Sequence, residues 1–406
     1  MKILILNAGS SSQKSCLYDL KEDSLNDHPL DPIWSANIDW TVANGQGILT
    51  VKAKGIKKII NLSFSDNRQG IAAMLDTLIQ EETQVIKQLS EIKIVGHRVV
   101  HGGTDYSKAT LITPEVKATI RRLIPLAPTH NPAHIEGIEA IEQLLGAIPQ
   151  IAVFDTAFHS HMPLETAAYP IPYEWFEKGI RRYGFHGTSH KYCAYKAAQI
   201  LNKPLTDLKL ITCHLGNGCS LAAIKDGISI DTTMGFTPLE GLMMGSRSGS
   251  IDPAILIYLM REHNLTANQL DEMLNKESGL KGISGISADL RAVIQGIDQG
   301  NIRAKLALDM YIYRLRAKIG SMLATLGDLD ALIFTAGVGE NSAIVREKAC
   351  EKFDFLGLKL DLDKNNNRPM NIDISTTQSR VRILVIHTEE DWAIAQECWH
   401  LRQSNS

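Results

Sequence analysis

Three short segments rich in glycine and small polar residues follow apolar runs in this chain: Asn7–Ser12, Gly216–Gly218 and Gly337–Asn341. Turns of this composition point several backbone N–H groups at one place and leave room for an anion, which is the chemistry of phosphate binding. One such segment alone is an ordinary tight turn. Three in a repeated frame point to a phosphate-bearing ligand. Lys14 sits just past the first turn, where its ammonium could meet a phosphate; the plainer alternative is a solvated strand lysine. No G-x-x-x-x-G-K-[ST] is present, and Gly337-x-Gly339-x-x-Ser342 falls one glycine short of the dinucleotide fingerprint.

Two arginines are flanked by small residues, Arg98 within Gly96-His97-Arg98-Val99-Val100-His101-Gly102-Gly103 and Arg247 within Gly245-Ser246-Arg247-Ser248-Gly249. A surface ion pair rarely needs glycines on both sides, whereas a guanidinium that must hold an anion in a fixed fork gains from that backbone freedom. Histidines gather nearby in sequence: His130, His159, His161, His186 and His190. The pairs His97/His101 and His186/His190 have i, i+4 spacing, but neither carries the glutamate of H-E-x-x-H. The glycines around them are expected to break an aligning helix, so zinc is not expected. Most of these histidines read as structural groups bonding backbone in loops. His186, between Phe185 and Gly187, is the candidate donor to charge, neutral or cationic. Asp155 closes the apolar run Ile151–Phe154, and a carboxylate at the C-terminal end of a strand lies where α/β sheets bind ligands. The G-x-S-x-G elbow of serine hydrolases is absent.

The elements that must position these groups alternate. Ile3–Leu6 and Lys14–Asp19 read as a hairpin around the first glycine turn, followed by strands at Ile48–Val51 and Lys58–Leu62. Helical spacing predicts a helix over Ile71–Leu89 and another over Pro132–Leu145, with short strands at Ile94-Val95 and Ile151–Phe154 between and after them. The pattern then restarts: Leu210–His214, a turn at Leu215-Gly216-Asn217-Gly218, and Ser220–Lys225 repeat the opening strand–turn–strand unit. Helices are expected at Pro253–Arg261, Ala267–Asn275, Ala288–Gly296 and Arg303–Leu326. A strand at Ala331–Phe334 leads into the turn Thr335–Asn341 and a helix over Ser342–Lys352. The strand Arg382–Ile386 ends at Glu389-Glu390-Asp391, an acidic helix start that suits the positive end of the helix dipole. This is an α/β chain with an internal duplication.

With 406 residues, the chain has room for two or three domains. Its 42 Lys+Arg against 45 Asp+Glu leave a net charge of −3, which argues against a nucleic-acid or membrane-surface partner. No apolar run approaches the ~20 residues of a membrane span, and Met1–Leu6 is too brief for a secretory core. Six scattered cysteines without a C-x-x-C pair fit reduced thiols in a cytoplasmic protein.

Taken together, Asn7–Ser12 with Lys14, Gly96–Gly103, Phe154–His159, Tyr183–His190, His214–Gly218, Met234–Pro238 and Gly337–Ser342 resemble, in order from Ile3 to Ala395, the acetate kinase family. The resemblance implies two duplicated actin/hexokinase/Hsp70-like (ribonuclease H-like) domains with the active site in the cleft between them. Residues 1–155, completed by a C-terminal helix at 390–406, would form the first. Residues 156–389 would form the second, with the nucleotide site and a homodimer interface. The implied reaction is Mg²⁺-dependent, reversible phosphoryl transfer from ATP to acetate, giving acetyl phosphate and ADP, with Mn²⁺ able to substitute.

By the same resemblance Asp155, His186 and Arg247 are catalytic. Arg98 binds the carboxylate, in a pocket walled by Val100, Thr129, Phe185 and Pro238. Lys14, His214, Leu215, Gly216, Asn217, Gly218, Asp289, Leu290, Arg291, Gly337, Val338, Gly339, Glu340 and Asn341 meet ATP, and Asn7 and Glu390 the metal. Thr129 replaces the family's usual leucine, which keeps a propionate- or butyrate-preferring kinase as an alternative. Glu389 replaces an asparagine, which leaves the metal's carboxylate open among Glu389, Glu390 and Asp391. An ATP-switched binding module, the other class of this fold, would need a further substrate-binding domain. Acetate is already ionised at neutral pH, so Asp155 is expected to orient the metal through water, or an Arg or His, rather than to act as a base.

Overall fold

The computed structural model describes the whole chain except residues 10, 11, 22, 26, 27, 44, 65, 405 and 406. It divides into two compact units, one of Met1–Ala157 with Glu389–Ser406 and one of Phe158–Thr388.

In the first unit the apolar run near the N-terminus is a buried strand, β1 (Lys2–Ala8), paired antiparallel with β2 (Ser12–Asp19) so that Asn7 lies opposite Lys14. Ser10 and Ser11 of the intervening turn lie outside the described residues. The antiparallel series continues through β3 (Trp34–Ala43), β4 (Gln46–Ala53) and β5 (Ile56–Ser63). On the other side of β1 come β6 (Ile92–Val99), with β7 (Thr110–Leu111) and β8 (Gln150–Phe154) beyond it. The order is β5-β4-β3-β2-β1-β6-β8-β7, with β1, β6 and β8 parallel.

Alternation along β1 feeds two faces. Leu4 and Leu6 pack with Met74 of helix Asn67–Asp76 and Ile141 of helix Asn131–Leu145. Ile5 faces helix Glu390–Ser404, which lies so near Gly96 that a side-chain carbon there would stand 2.6 Å from Cys398 Sγ and 2.9 Å from Ile5 Cδ1.

The second unit repeats the plan. Its strands are β9 (Lys209–Leu215), β10 (Cys219–Lys225), β11 (Ile228–Thr232), β12 (Ala331–Thr335), β13 (Ile372–Asp373) and β14 (Arg382–Val385), in the order β11-β10-β9-β12-β14-β13. As in the first unit, a hairpin and a third antiparallel strand lie on one side, and two parallel strands with an antiparallel edge on the other. The duplication read from the repeated strand–turn–strand units is therefore one of sheet topology. Helix Ile302–Leu326 packs across β9, β10 and β11. It is opened by Asn301, whose Oδ1 accepts from the N–H groups of Arg303 and Ala304 at 2.9 and 3.0 Å, and closed by Gly327 at φ 72°.

Several expectations are corrected. The helix predicted over Ile71–Leu89 ends at Asp76. The Thr77 hydroxyl turns back to the Met74 carbonyl at 2.7 Å and receives the Trp34 indole N–H at 3.1 Å, so the buried side chains beyond it follow turns. The glycines around His186 do not prevent a helix: Gly187 opens one that runs to Leu201, because a glycine at a helix start costs little. The segment Thr335–Asn341 is a short helix, Ala336–Asn341, entered through Ala336 at φ 63°. Strands β3 and β11 and helices Pro114–Arg122 and Gly187–Leu201 carry weaker sequence signals and were not anticipated. Among the described residues no helix is long and apolar enough to cross a membrane.

Candidate active site

In the first unit β1, β6 and β8 run parallel, so their C-terminal ends bring Asn7, Arg98 and Asp155 together. Asp155 is buried and takes Arg98 with both oxygens, from Nε at 3.0 Å and from Nη2 at 2.7 Å. Arg98 Nη1 donates to Asn7 Oδ1 at 3.1 Å, and Asn7 Nδ2 donates to Asp391 Oδ1 at 3.0 Å. Burial alone would weaken the charge on Arg98, but Asp155 and Glu390 more than offset it and raise its pKa. The Glu390 carboxyl is pushed upward chiefly by burial; Asp155 and Asp391 push the same way, and Arg98 opposes them. Asp391 also receives the Cys16 thiol at 3.4 Å. Lys14 is exposed on β2, on the face it shares with Cys16, where it lines a shallow depression of about 220 Å³ with Asn37, Lys52 and Asp391. Val100, just past β6, is buried, and Thr129 is exposed with its hydroxyl 2.8 Å from His130 Nδ1.

In the second unit the glycine turn is the meeting point. His186 caps helix Gly187–Leu201 in the left-handed conformation (φ 58°, ψ 25°), a costly backbone state for a side-chain-bearing residue. A carbon placed on Gly218 would stand 3.5 Å from His186 Nε2 and 3.5 Å from Arg247 Nη1, so both groups close on that turn. His214, at the end of β9, stacks on His186 with ring centres 4.1 Å apart. The Arg247 Nη1 donates to the Pro238 carbonyl at 3.0 Å. Its pKa is lowered by burial, with only the Cys219 thiol opposing. Among the described residues no carboxylate pairs with Arg247. A desolvated guanidinium without a counter-ion is a standing site for an anion.

The remaining predicted groups hold local structure. The Glu340 carboxylate accepts from the N–H of Ala336 at 2.8 Å and of Thr388 at 3.3 Å, and lies 2.6 Å from His387 Nδ1, which ties the helix carrying Gly337–Asn341 to the end of the unit. Asp289 caps helix Leu290–Asp298 by accepting from the N–H of Arg291 at 2.9 Å, and the exposed Arg291 side chain folds back onto it at 2.6 Å; Leu290 is buried. Phe185 is buried, and its carbonyl lies 3.1 Å from His159 Nε2.

This chain matches the model of the Acetokinase family over residues 2–396. The chain belongs to that family. Curated relatives named acetate kinase from Rippkaea orientalis and a Synechocystis strain are 78% and 63% identical, covering 98% of this chain and 99% and 97% of theirs. Among solved structures, an acetate kinase from Porphyromonas gingivalis superposes with a TM-score of 0.91 at 40% identity, covering 99% of both chains. A propionate kinase from Francisella tularensis gives 0.89 at 41%, covering 98% of this chain and 99% of its own.

Within this acetokinase-family chain, sequence reasoning missed Asp391 as the partner of Asn7, Ser220 and Ser189 as partners of the stacked His186 and His214, and Thr212 with His190 behind Ser220. A signal existed for the strand residues. Thr212 and His214 are two apart on β9, and Ser220 on β10 is registered opposite His214, so all three share one face. Among the described residues no group of three or more His, Cys, Asp or Glu side chains forms a metal-holding cluster.

Proposed function

We propose that the protein transfers the γ-phosphoryl group of ATP to the carboxylate of acetate, reversibly, giving acetyl phosphate and ADP. Membership of the acetokinase family supports the reaction class, a phosphotransferase with a carboxyl acceptor. The observation that carries the reading is the contrast between two arginines: Arg98 held rigid by Asp155, and Arg247 left without a carboxylate beside the glycine turn.

The reaction brings two anions together. Unit charges at 4 Å repel by about 4 kcal/mol at an effective dielectric of 20, so neutralisation is the main task. Arg98, fixed in a fork, binds and orients the carboxylate. Arg247 and His186 donate to the oxygens of the transferring group, whose charge spreads in a loose in-line transition state. The turn at Gly216–Gly218 and helix Ala336–Asn341 receive the nucleotide. Asp155 works by holding Arg98; with both oxygens engaged there, it is poorly placed to take a proton.

Glu390, Asp155 and Asp391 alone form no metal-holding group among the described residues, so a divalent cation would be held by Glu390 and Asn7 with phosphate oxygens and water completing the set, and it would relieve the repulsion that helps raise the Glu390 pKa. Bound Mg²⁺, or Mn²⁺ in its place, would offset charge on the ATP phosphates.

A cytoplasmic location is supported by six cysteines, none in a disulfide. A homodimer is supported by apolar side chains exposed on helix Ala254–Glu262 (Ile255, Ile257, Tyr258) and on helix Ile302–Leu326 (Ile302, Leu306, Tyr313). Sedimentation of the wild type and of Tyr258→Glu tests this. The decisive experiment for the activity is ³¹P NMR of the protein with MgATP and acetate. An acyl phosphate signal is expected, and its absence rejects the proposal. Relative kcat/KM on acids of two, three and four carbons separates acetate from the propionate reading.

A further inference from the structure

Behind His186 lies a chain of buried groups that the phosphoryl-transfer reading does not use. Ser220 Oγ is 2.8 Å from His186 Nδ1 and 2.7 Å from His190 Nε2, and His190 Nδ1 is 2.6 Å from Thr212 Oγ1. The chain arises because helix Gly187–Leu201 packs on β9, where Thr212 stands, and its first turn sends His190 to both Thr212 and Ser220 of the neighbouring β10. His190, Thr212 and Ser220 are each fully buried. Among the described residues, Thr212 Oγ1 bonds only His190, and Ser220 Oγ only the two imidazoles.

Proton counting gives the chain a direction. Burial keeps His190 neutral, its pKa well below the ordinary histidine value, and His159 and His214 act the same way. A neutral imidazole donates from one nitrogen and accepts at the other. If Thr212 donates to His190 Nδ1, then His190 Nε2–H donates to Ser220, and the Ser220 hydroxyl proton goes to His186 Nδ1. Every proton in the chain then has an acceptor. Reversed, the chain ends on Thr212 as acceptor and leaves its fully buried hydroxyl proton without an acceptor among the described residues, an arrangement folded proteins avoid. The neighbouring ring agrees. Thr388 Oγ1 donates to Ser189 Oγ at 2.9 Å, which leaves the Ser189 proton for His214 Nδ1, also at 2.9 Å. Among the described residues, the charged and titratable groups seen to face His186 include His214, His190 and Arg247, with the Cys219 thiol beside Arg247. Beside that guanidinium and a stacked imidazole, a neutral donor avoids like-charge repulsion.

We propose that Thr212, His190 and Ser220 are positioning residues, a one-way hydrogen-bond relay that holds His186 as the neutral Nε2–H tautomer and aims that donor at the transferring phosphoryl group. This rests on the phosphoryl-transfer reading above. The relay gives His186 a fixed donor without a second cation beside Arg247, and it explains why the backbone accepts a left-handed histidine there.

The test is a long-range ¹H–¹⁵N correlation spectrum of the full-length, histidine-labelled protein near neutral pH, with His186 assigned by the signal lost in His186→Ala. A protonated Nε2 with a bare Nδ1 is expected; a protonated Nδ1, or an imidazolium, in the wild-type spectrum overturns the relay. Ser220→Ala should release the tautomer into a mixture and lower kcat about tenfold, with both KM values within about twofold. His190→Gln keeps a donor toward Ser220 and should stay within about threefold of wild-type kcat, whereas His190→Leu should fall with Ser220→Ala. An unchanged kcat in Ser220→Ala, or no gain of Gln over Leu, rejects the proposal. The parent reading is tested separately by acyl phosphate formation in the wild type. If that fails, the tautomer still stands or falls on the spectrum alone.

Discussion

Asp155 grips Arg98 through both carboxylate oxygens, with Nη2 at 2.7 Å and Nε at 3.0 Å, and so leaves Nη1 to reach Asn7 at 3.1 Å. The guanidinium is committed before any ligand arrives. Arg247 is the opposite case, bonded to the neutral Pro238 carbonyl and paired with no carboxylate among the described residues. The chain thus invests its carboxylates in aiming one arginine and leaves the other short of negative charge.

Replacing Asp155 by Asn keeps the shape and removes the ion pair. Because the acceptor acid is already ionised, the loss should be one of orientation and be independent of pH. We expect kcat to fall by about 100-fold, roughly 2.7 kcal/mol, at every pH from 6 to 9. A pH–rate series on Asp155→Asn checks this. Activity that climbs back as the solution becomes more basic would show a proton-accepting role instead.

For Arg247, function and stability should separate. Removing a desolvated cation that lacks a counter-ion relieves a cost to the fold, so Arg247→Ala should leave Tm unchanged or higher. Turnover should fall by about 10³-fold, the scale of arginines that stabilise a transferring phosphoryl group. Calorimetry alongside steady-state kinetics reads both. A variant that melts well below the wild type would make Arg247 a structural residue.

How far the site was legible follows from what each residue advertises. Arg98, His186 and Arg247 stand beside glycines and other small residues, and Asp155 closes an apolar strand, so sequence marks all four. Thr212 and Ser220 look like ordinary strand hydroxyls, and Asp391 like any acid in a helix start; each gains meaning only when a second strand or helix is laid beside it. The duplication was readable because both hairpins carry glycine turns between apolar runs. The false extension of the Ile71 helix had a physical source too: Leu78 and Ile79 continue the helical period, but Leu78 is buried and Ile79 half-buried from turns, after Thr77 is drawn toward Trp34. The helix start at Gly187 was hidden by a rule about glycine that applies to helix interiors and not to their first residue.

Gly96 shows how closely Glu390 and Asp391, the acids proposed to lie near the metal, depend on packing. A methyl group there would meet Cys398 Sγ at 2.6 Å and Ile394 Cγ2 at 3.0 Å, both on the helix that begins with Glu390 and Asp391. Gly96→Ala should therefore lower stability by about 1–3 kcal/mol, the usual range for overpacking, and shift that helix. Urea denaturation gives the first quantity, and the divalent-metal concentration needed for half-maximal rate reports the second. Wild-type values for both would mean that the helix yields without disturbing its acidic end.

The buried histidines set an acid limit on the fold. Burial lowers His97, His101 and His159 to about 4, and holds His134 and His190 well below the ordinary histidine value. In the unfolded chain each titrates near 6.5, so below that pH the unfolded state binds more protons and stability must fall as pH falls. The contribution is fully present above about pH 7 and is lost between about 6.5 and 4, at up to roughly 1.4 kcal/mol per pH unit for each group. Three of these groups lie in the first unit and two in the second, so each unit can lose several of the 5–15 kcal/mol typical of a domain within about two pH units. Unfolding at pH 5.5 should then take up about four protons, because nearly every unfolded histidine is charged there and nearly none of these five is in the folded state. Calorimetric unfolding in buffers of different ionisation enthalpy counts those protons directly, and an uptake below about two would mean that most of these rings are already charged in the native protein.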